Sequence, residues 1–179
     1  MSIVATSPVA IAKAALRRLV ASSTVFQSVV GAISEADALD RVHIAEAIDD
    51  EEEDTETLKH DRPRCLIDMT SMSAPVQGVG SYLDQYEFAV SFEFPPPAEV
   101  TQGAIGVHLL EESTWFDNQW SGIVENMKTN NGLRNADSEP YFVFTSLELA
   151  GNPNRNDPRE DPVNQYYWGV AMVVRGPHD

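Results

Sequence analysis

The sequence predicts an α+β fold, in which a single antiparallel or mixed β-sheet of about four strands carries helices packed on one face. Three observations predict it: an amphipathic helical stretch at the start, a strictly alternating strand in the middle, and two apolar strands that follow a second helical stretch. The 179 residues suit one domain and suffice for a hydrophobic core. Because we found neither an internal repeat nor a domain break, residues 1–179 are expected to form one domain.

The chain begins with two helix signals. Ser7 followed by Pro8 predicts a helix start, because a hydroxyl side chain caps the first amides and proline fits the first helical position. Apolar residues then recur at steps of three and four: Val9, Ala12, Leu16 and Leu19. Thr24 and Gln27 predict a capping box for a short second helix, which Gly31 would end.

The clearest strand signal is YEFAVSFEF, residues 86–94. Apolar and polar side chains alternate throughout it, which places the apolar ones on one face of a sheet. Three prolines follow, Pro95–Pro97, and proline cannot donate a hydrogen bond to a neighbouring strand. Upstream, residues 41–48 favour a weak strand, and RCLIDM favours another that ends in a Ser/Gly/Pro-rich loop, 70–81.

The second half of the chain predicts helices and then strands. Residues 101–110 favour a small helix, and Thr114 with Asp117 predicts the cap of a separate, longer one. Residues 141–151 and 164–176 are rich in aromatic and β-branched side chains, and they predict the last two strands.

Composition limits the classes of function. The chain has 12 Lys and Arg against 28 Asp and Glu, a net charge of −16, which argues against tight binding to nucleic acid through phosphate contacts. No apolar run approaches the roughly 18 residues of a membrane span, and the start lacks a basic n-region, so a soluble cytosolic protein is expected. The one cysteine, Cys65, rules out an internal disulfide and a Cys-based zinc site.

Two polar segments are predicted to be loops, an acidic one at 49–61 and a Pro-rich one at 151–162. The first opens with six consecutive acids: Asp49, Asp50, Glu51, Glu52, Glu53 and Asp54. A calcium loop of the EF-hand type needs spaced ligands and a central glycine, and this run has neither. Adjacent carboxylates favour an extended, hydrated chain, so a solvated loop is the main interpretation. Docking of a basic partner and cation binding are the alternatives.

No residues are predicted to be catalytic, to bind a cofactor or to ligate a metal. The four histidines, His43, His60, His108 and His178, lack metal-site spacing. Two arrangements keep an enzyme open as an alternative: Asp68 with Glu93 as a carboxylate pair, or Cys65 activated by a distant histidine.

The order and character of the segments resemble the tail terminator proteins of long-tailed bacteriophages. The resemblance covers most of the chain and is carried by VF..VVGAI (25–33), RVHIAEA (41–47), the acidic loop, PRCLID, YEFAVSFEF, W…IVENMK and YYWGVAMVVRG. It rests on element order and strand character, since no invariant motif defines it. The insertion at 95–112 and the acidic loop are larger than a minimal member needs.

The resemblance implies a structural virion protein that is not an enzyme. Such a protein forms a ring, usually a hexamer, at the head-proximal end of the tail, where it ends tail-tube growth and joins the tail to the neck. The implied partners are other copies of the chain, the tail-tube protein, and neck, stopper or adaptor proteins, with genomic DNA passing through without specific binding. Assembly would take place in the host cytoplasm, away from membranes.

Within that interpretation the polar loops supply the candidate protein contacts. They are the acids at 49–54 together with Asn154, Arg155, Asp157 and Arg159. Another neck or tail component (an adaptor, a stopper or a minor tail protein) is the nearest alternative. A small α+β enzyme and an acidic cation-binding module are the more distant ones.

Overall fold

The computed structural model describes residues 8–44, 62–73, 85–100, 105–131, 146–155 and 168–177. Within them lie four helices: α1 (Pro8–Ala21), α2 (Thr24–Val30), α3 (Glu35–Leu39) and α4 (Ile105–Thr129). The same residues contain five strands: β1 (Val42–Ile44), β2 (Arg64–Ser73), β3 (Gln85–Phe94), β4 (Ser146–Arg155) and β5 (Trp168–Pro177).

The five strands form one mixed sheet in the order β1-β2-β3-β5-β4. Strand β1 runs parallel to β2, and the other neighbouring pairs are antiparallel. All four helices contribute residues to, or pack against, a single core cluster on one face of this sheet. The predicted α+β class is therefore confirmed, with the short β1 bringing the strand number to five.

Strand β3 lies at the centre of the sheet and supplies four of the buried core residues. Its alternating residues Phe88, Val90, Phe92 and Phe94 are fully buried, and the polar or small residues between them are half-buried. Phe92 lies opposite Cys65 of β2 on one side and Val170 of β5 on the other. The alternating apolar residues of β3 thus lie on the core face of the sheet, and the residues between them lie on the opposite face.

The short helix α2 is held at both ends by local hydrogen bonds. Its N-cap is Ser23, whose hydroxyl accepts a hydrogen bond from the Phe26 amide at 3.3 Å. The predicted cap at Thr24 is therefore wrong by one residue, and Gln27 donates to the Ala21 carbonyl at 2.8 Å instead. Gly31 ends the helix at φ 70°, a left-handed conformation in which glycine has no steric cost.

Helix α4 is one continuous helix of 25 residues, so the prediction of two separate helices in this region is wrong. Thr114 and Asp117 resemble a capping pair in sequence, but the residues before them are good helix formers and carry the helix through this point. A Cβ at Gly122 would lie 3.0 Å from a methyl group of Val25, so the absence of a side chain lets α2 approach α4 closely.

Two predicted loops begin later than expected because strand pairing continues into them. Strand β2 extends to Ser73, and its pairing with β3 resumes after a register shift between Met69 and Ser71. Strand β4 extends to Arg155, so the prediction of a loop from residue 151 is wrong for 151–155. Backbone hydrogen bonds do not depend on apolar side chains, which explains why these polar stretches still pair. The predicted strand residues 45–48, 141–145 and 164–167 lie outside the described residues.

The outer edge of β1 is closed by an arginine from α1. Arg17 donates from Nε to the Val42 carbonyl and from a terminal nitrogen to the Leu39 carbonyl, both at 2.9 Å. On its other side β1 is tied to β2, because the Cys65 amide donates to the Arg41 carbonyl at 2.9 Å. Helix α1 therefore occupies hydrogen-bonding positions that an additional strand would need.

Replacing Phe92 with alanine should lower the free energy of unfolding by about 3–5 kcal/mol, because it removes a fully buried ring from the middle of the core. Denaturant unfolding followed by circular dichroism measures this loss. The adjacent Ser91→Ala variant is the control, and it should change the stability by less than about 1 kcal/mol. Similar values for the two variants would contradict the assignment of the core face.

Replacing Arg17 with alanine should cost about 1–3 kcal/mol, because two backbone carbonyls lose their charged donor. The neighbouring Arg18 gives the matched control. It pairs with Glu35 at 3.3 Å where both side chains are more than a third exposed, so Arg18→Ala should cost less than about 1 kcal/mol. Equal losses, measured by the same unfolding experiment, would show that Arg17 does not hold the β1 edge.

Candidate functional site

The face of the sheet opposite the core is the main candidate for an interaction surface, and we call it the open face. Its described members on β2 and β3 include Arg64, Leu66, Asp68, Glu87, Ala89, Ser91 and Glu93. Arg64 is buried and Asp68 is exposed, and the other five are half-buried. The small and polar residues of this face alternate with the buried residues of the core face, so the same period-two pattern produces both.

An ionic cluster of Arg62, Arg64 and Glu93 lies at one end of the open face. Both arginines donate through Nε to the same carboxylate oxygen, Glu93 Oε2, at 3.0 Å from Arg62 and 2.7 Å from Arg64. The three side chains are only 5%, 8% and 14% exposed, respectively.

The sheet register positions this cluster. Arg64 is the first residue of β2 and lies directly opposite Glu93 of β3, and Arg62 precedes it by two residues. Both arginines are therefore brought to a residue about 30 positions later by strand pairing alone. The sequence analysis did not identify the two arginines. The only sequence signal for this cluster is that β2 and β3 each carry a charged residue, Arg64 and Glu93, at a position that alternates with the core residues. That signal does not reveal which residues of the two strands pair.

The two carboxylates considered as a catalytic pair are not brought together. Asp68 lies opposite Ala89, near the middle of the described pairing, whereas Glu93 lies opposite Arg64 at one end of it. At a rise of about 3.3 Å per residue, the two positions are roughly 13 Å apart along the strand. Glu93 Oε2 also accepts hydrogen bonds from two arginines, and at this separation the pair lacks the geometry for shared acid–base chemistry.

Cys65 is placed where a nucleophile would be ineffective. The thiol is completely buried, and desolvation, aided by the nearby negative charge of Glu93, raises the pKa of Cys65 well above its ordinary value. The thiolate that would act as nucleophile is therefore disfavoured. His43 lies opposite Leu66 rather than Cys65, which places it at the alternate register position. Of the histidines that were left open as partners of Cys65, His43 therefore lies on the other face of the sheet, and His60 and His178 lie outside the described residues.

The predicted protein contacts fall in different parts of the chain. Asn154 and Arg155 lie in β4, where they pair with Gly169 and Trp168 of β5, so they belong to a strand and not to a loop. The acids at 49–54, together with Asp157 and Arg159, lie outside the described residues. The contact predictions at those positions remain predictions.

Among the described residues, no group of three or more His, Cys, Asp or Glu side chains is placed to hold a metal ion. None of the described helices is both long enough and apolar enough to cross a membrane. Comparison of the sequence with models of known protein families gave no match. Comparison with curated proteins gave no significant match either.

Replacing Glu93 with glutamine should lower the free energy of unfolding by about 3 kcal/mol, because two nearly buried guanidinium groups lose their charge-assisted hydrogen bonds to Glu93 Oε2. Asp68→Asn is the control, since it removes one carboxylate from an exposed position of the same face and should cost less than about 0.5 kcal/mol. Thermal and denaturant unfolding of both variants measure the difference. A neutral Glu93→Gln result would contradict the ionic cluster.

Proposed function

We propose that this protein is a structural component of a bacteriophage neck, a tail terminator that forms a ring of six copies at the head-proximal end of the tail. The resemblance in segment order supports this proposal. So does the architecture, a mixed sheet that carries its helices on one face only. The proposal rests chiefly on the open face, where small and polar side chains lie on the side of the sheet away from the core cluster.

A closed ring requires two different surfaces on each copy, since each subunit contacts its two neighbours in head-to-tail fashion. Arg17 closes the outer edge of β1, so strand addition is disfavoured there. The open face and the outer edge of β4 are the remaining sheet surfaces, and no other described strand pairs with that edge of β4. We assign the contacts between copies to these two surfaces.

The charge of the protein supports a role around DNA without binding to it. A net charge of −16 per copy gives a ring a strongly negative field, which repels phosphates and lets a duplex pass without sticking. The sheet register separates Asp68 from Glu93, and Cys65 is buried. Neither arrangement therefore supports the enzymatic alternative.

Light scattering on the purified protein, alone and mixed with the tail-tube protein of the same genome, tests the proposal. We expect either a hexamer in isolation or a monomer that is driven into rings by the tube. A monomer whose mass is indifferent to the tube protein would contradict the assignment as a terminator.

The open face can be tested separately with two matched serine variants. Ser91→Arg places a long cation in the middle of the open face, and Ser121→Arg places the same group on the exposed surface of α4. We expect Ser91→Arg to weaken ring formation at least about tenfold, because an unmatched charge at the centre of an interface is costly. Ser121→Arg should assemble normally. Both variants should keep their unfolding transitions, and equal assembly by the two would contradict the role of the open face.

A further inference from the structure

Helix α4 contains a local conflict between its sequence and its environment. Glu112 is only 2% exposed, and its Oε2 atom has no hydrogen-bond partner. Leu110, two residues earlier, is 69% exposed. The helix therefore buries an acid and exposes a large apolar side chain within the same turn, the reverse of what an amphipathic helix does.

Both parts of the conflict weaken the docking of this turn. A buried carboxylate oxygen without a donor has lost its hydration and gained nothing in return. An exposed leucine forfeits the favourable free energy of burial. Further along α4, Phe116, Ile123 and Met127 are fully buried on the core side, so the remainder of the helix is firmly held.

Rotation of the whole helix cannot relieve the conflict. At about 100° per residue, Leu110 and Glu112 lie about 200° apart around the helix axis, whereas Glu112 and Phe116 lie within about 40° of each other. A rotation that exposed Glu112 would therefore withdraw Phe116 from its contact with Phe94, whose ring centroid lies 5.9 Å away. Relief requires the start of the helix to separate from the sheet while the later turns stay in place.

We infer that the first two turns of α4, residues 105–112, are a movable segment whose release carries Glu112 out of the core, with Glu112 as the residue that favours it. Undocking hydrates the Glu112 carboxylate and places it beside Glu111, which is already exposed. Local opening of this kind occurs in elements whose docking free energy is well below that of the whole domain. The inference is independent of the proposed ring, because it rests only on α4 and the core.

Hydrogen exchange of the full-length protein, followed by mass spectrometry, tests the inference. In the wild-type protein, amides of 109–112, whose acceptors lie within the helix, should exchange at least about tenfold faster than those of 116–127. In Glu112→Met, which fills the same space without a charge, exchange of 109–112 should slow by about tenfold while 116–127 is unchanged. Glu111→Gln, an exposed neighbour, is the matched control and should leave both rates unchanged.

Equal protection of the two segments in the wild-type protein would overturn the inference, and that comparison needs no variant. An unchanged exchange rate for 109–112 in a folded Glu112→Met protein would overturn it as well. Slowing of both segments by the same factor would also count against it, because a uniform effect reports global stability and not local release.

Discussion

Four phenylalanines from three elements meet on the core face of β3, and their packing fixes the position of the helices on the sheet. Phe92 and Phe94 of β3 lie 5.8 Å apart between ring centroids. Phe26 of α2 lies within 6.4 Å of both, and Phe116 of α4 lies 5.9 Å from Phe94. These are the spacings of tilted and edge-to-face aromatic pairs, which add to the free energy of burial. Because α2 and α4 both dock on this strand, the opposite face of β3 is left to the small and polar residues.

Local features of the sequence predict the fold well and long-range pairing poorly. The alternation of YEFAVSFEF predicts β3 because period two is a property of neighbouring residues. Ser34 caps α3 and Gly31 ends α2 through bonds that span only a few positions. Arg17 donates to the carbonyls of Leu39 and Val42, which lie 22 and 25 positions later in the chain. No local sequence pattern predicts such long-range hydrogen bonds.

The candidate site follows the same division. The polar residues of the open face can be read from the sequence, since they alternate with the apolar ones. The pairing of Glu93 with two arginines cannot, because it depends on which residue of β2 lies opposite it. The burial of Glu112 could not be predicted for a different reason. It depends on α4 being one continuous helix, which places this acid on the core-facing side together with Phe116. The movable segment thus becomes visible only in three dimensions.

A sheet with its helices on one face, small and polar residues on the other and one edge carbonyl taken by Arg17 is compatible with the proposed ring subunit, which contacts its copies without adding strands at random. Electron microscopy of tail tubes assembled from the tube protein, with and without this protein, tests that role most directly. We predict tubes of arrested growth that carry a ring at one end only when the protein is present. Tubes of the same length distribution with bare ends in both samples would contradict it.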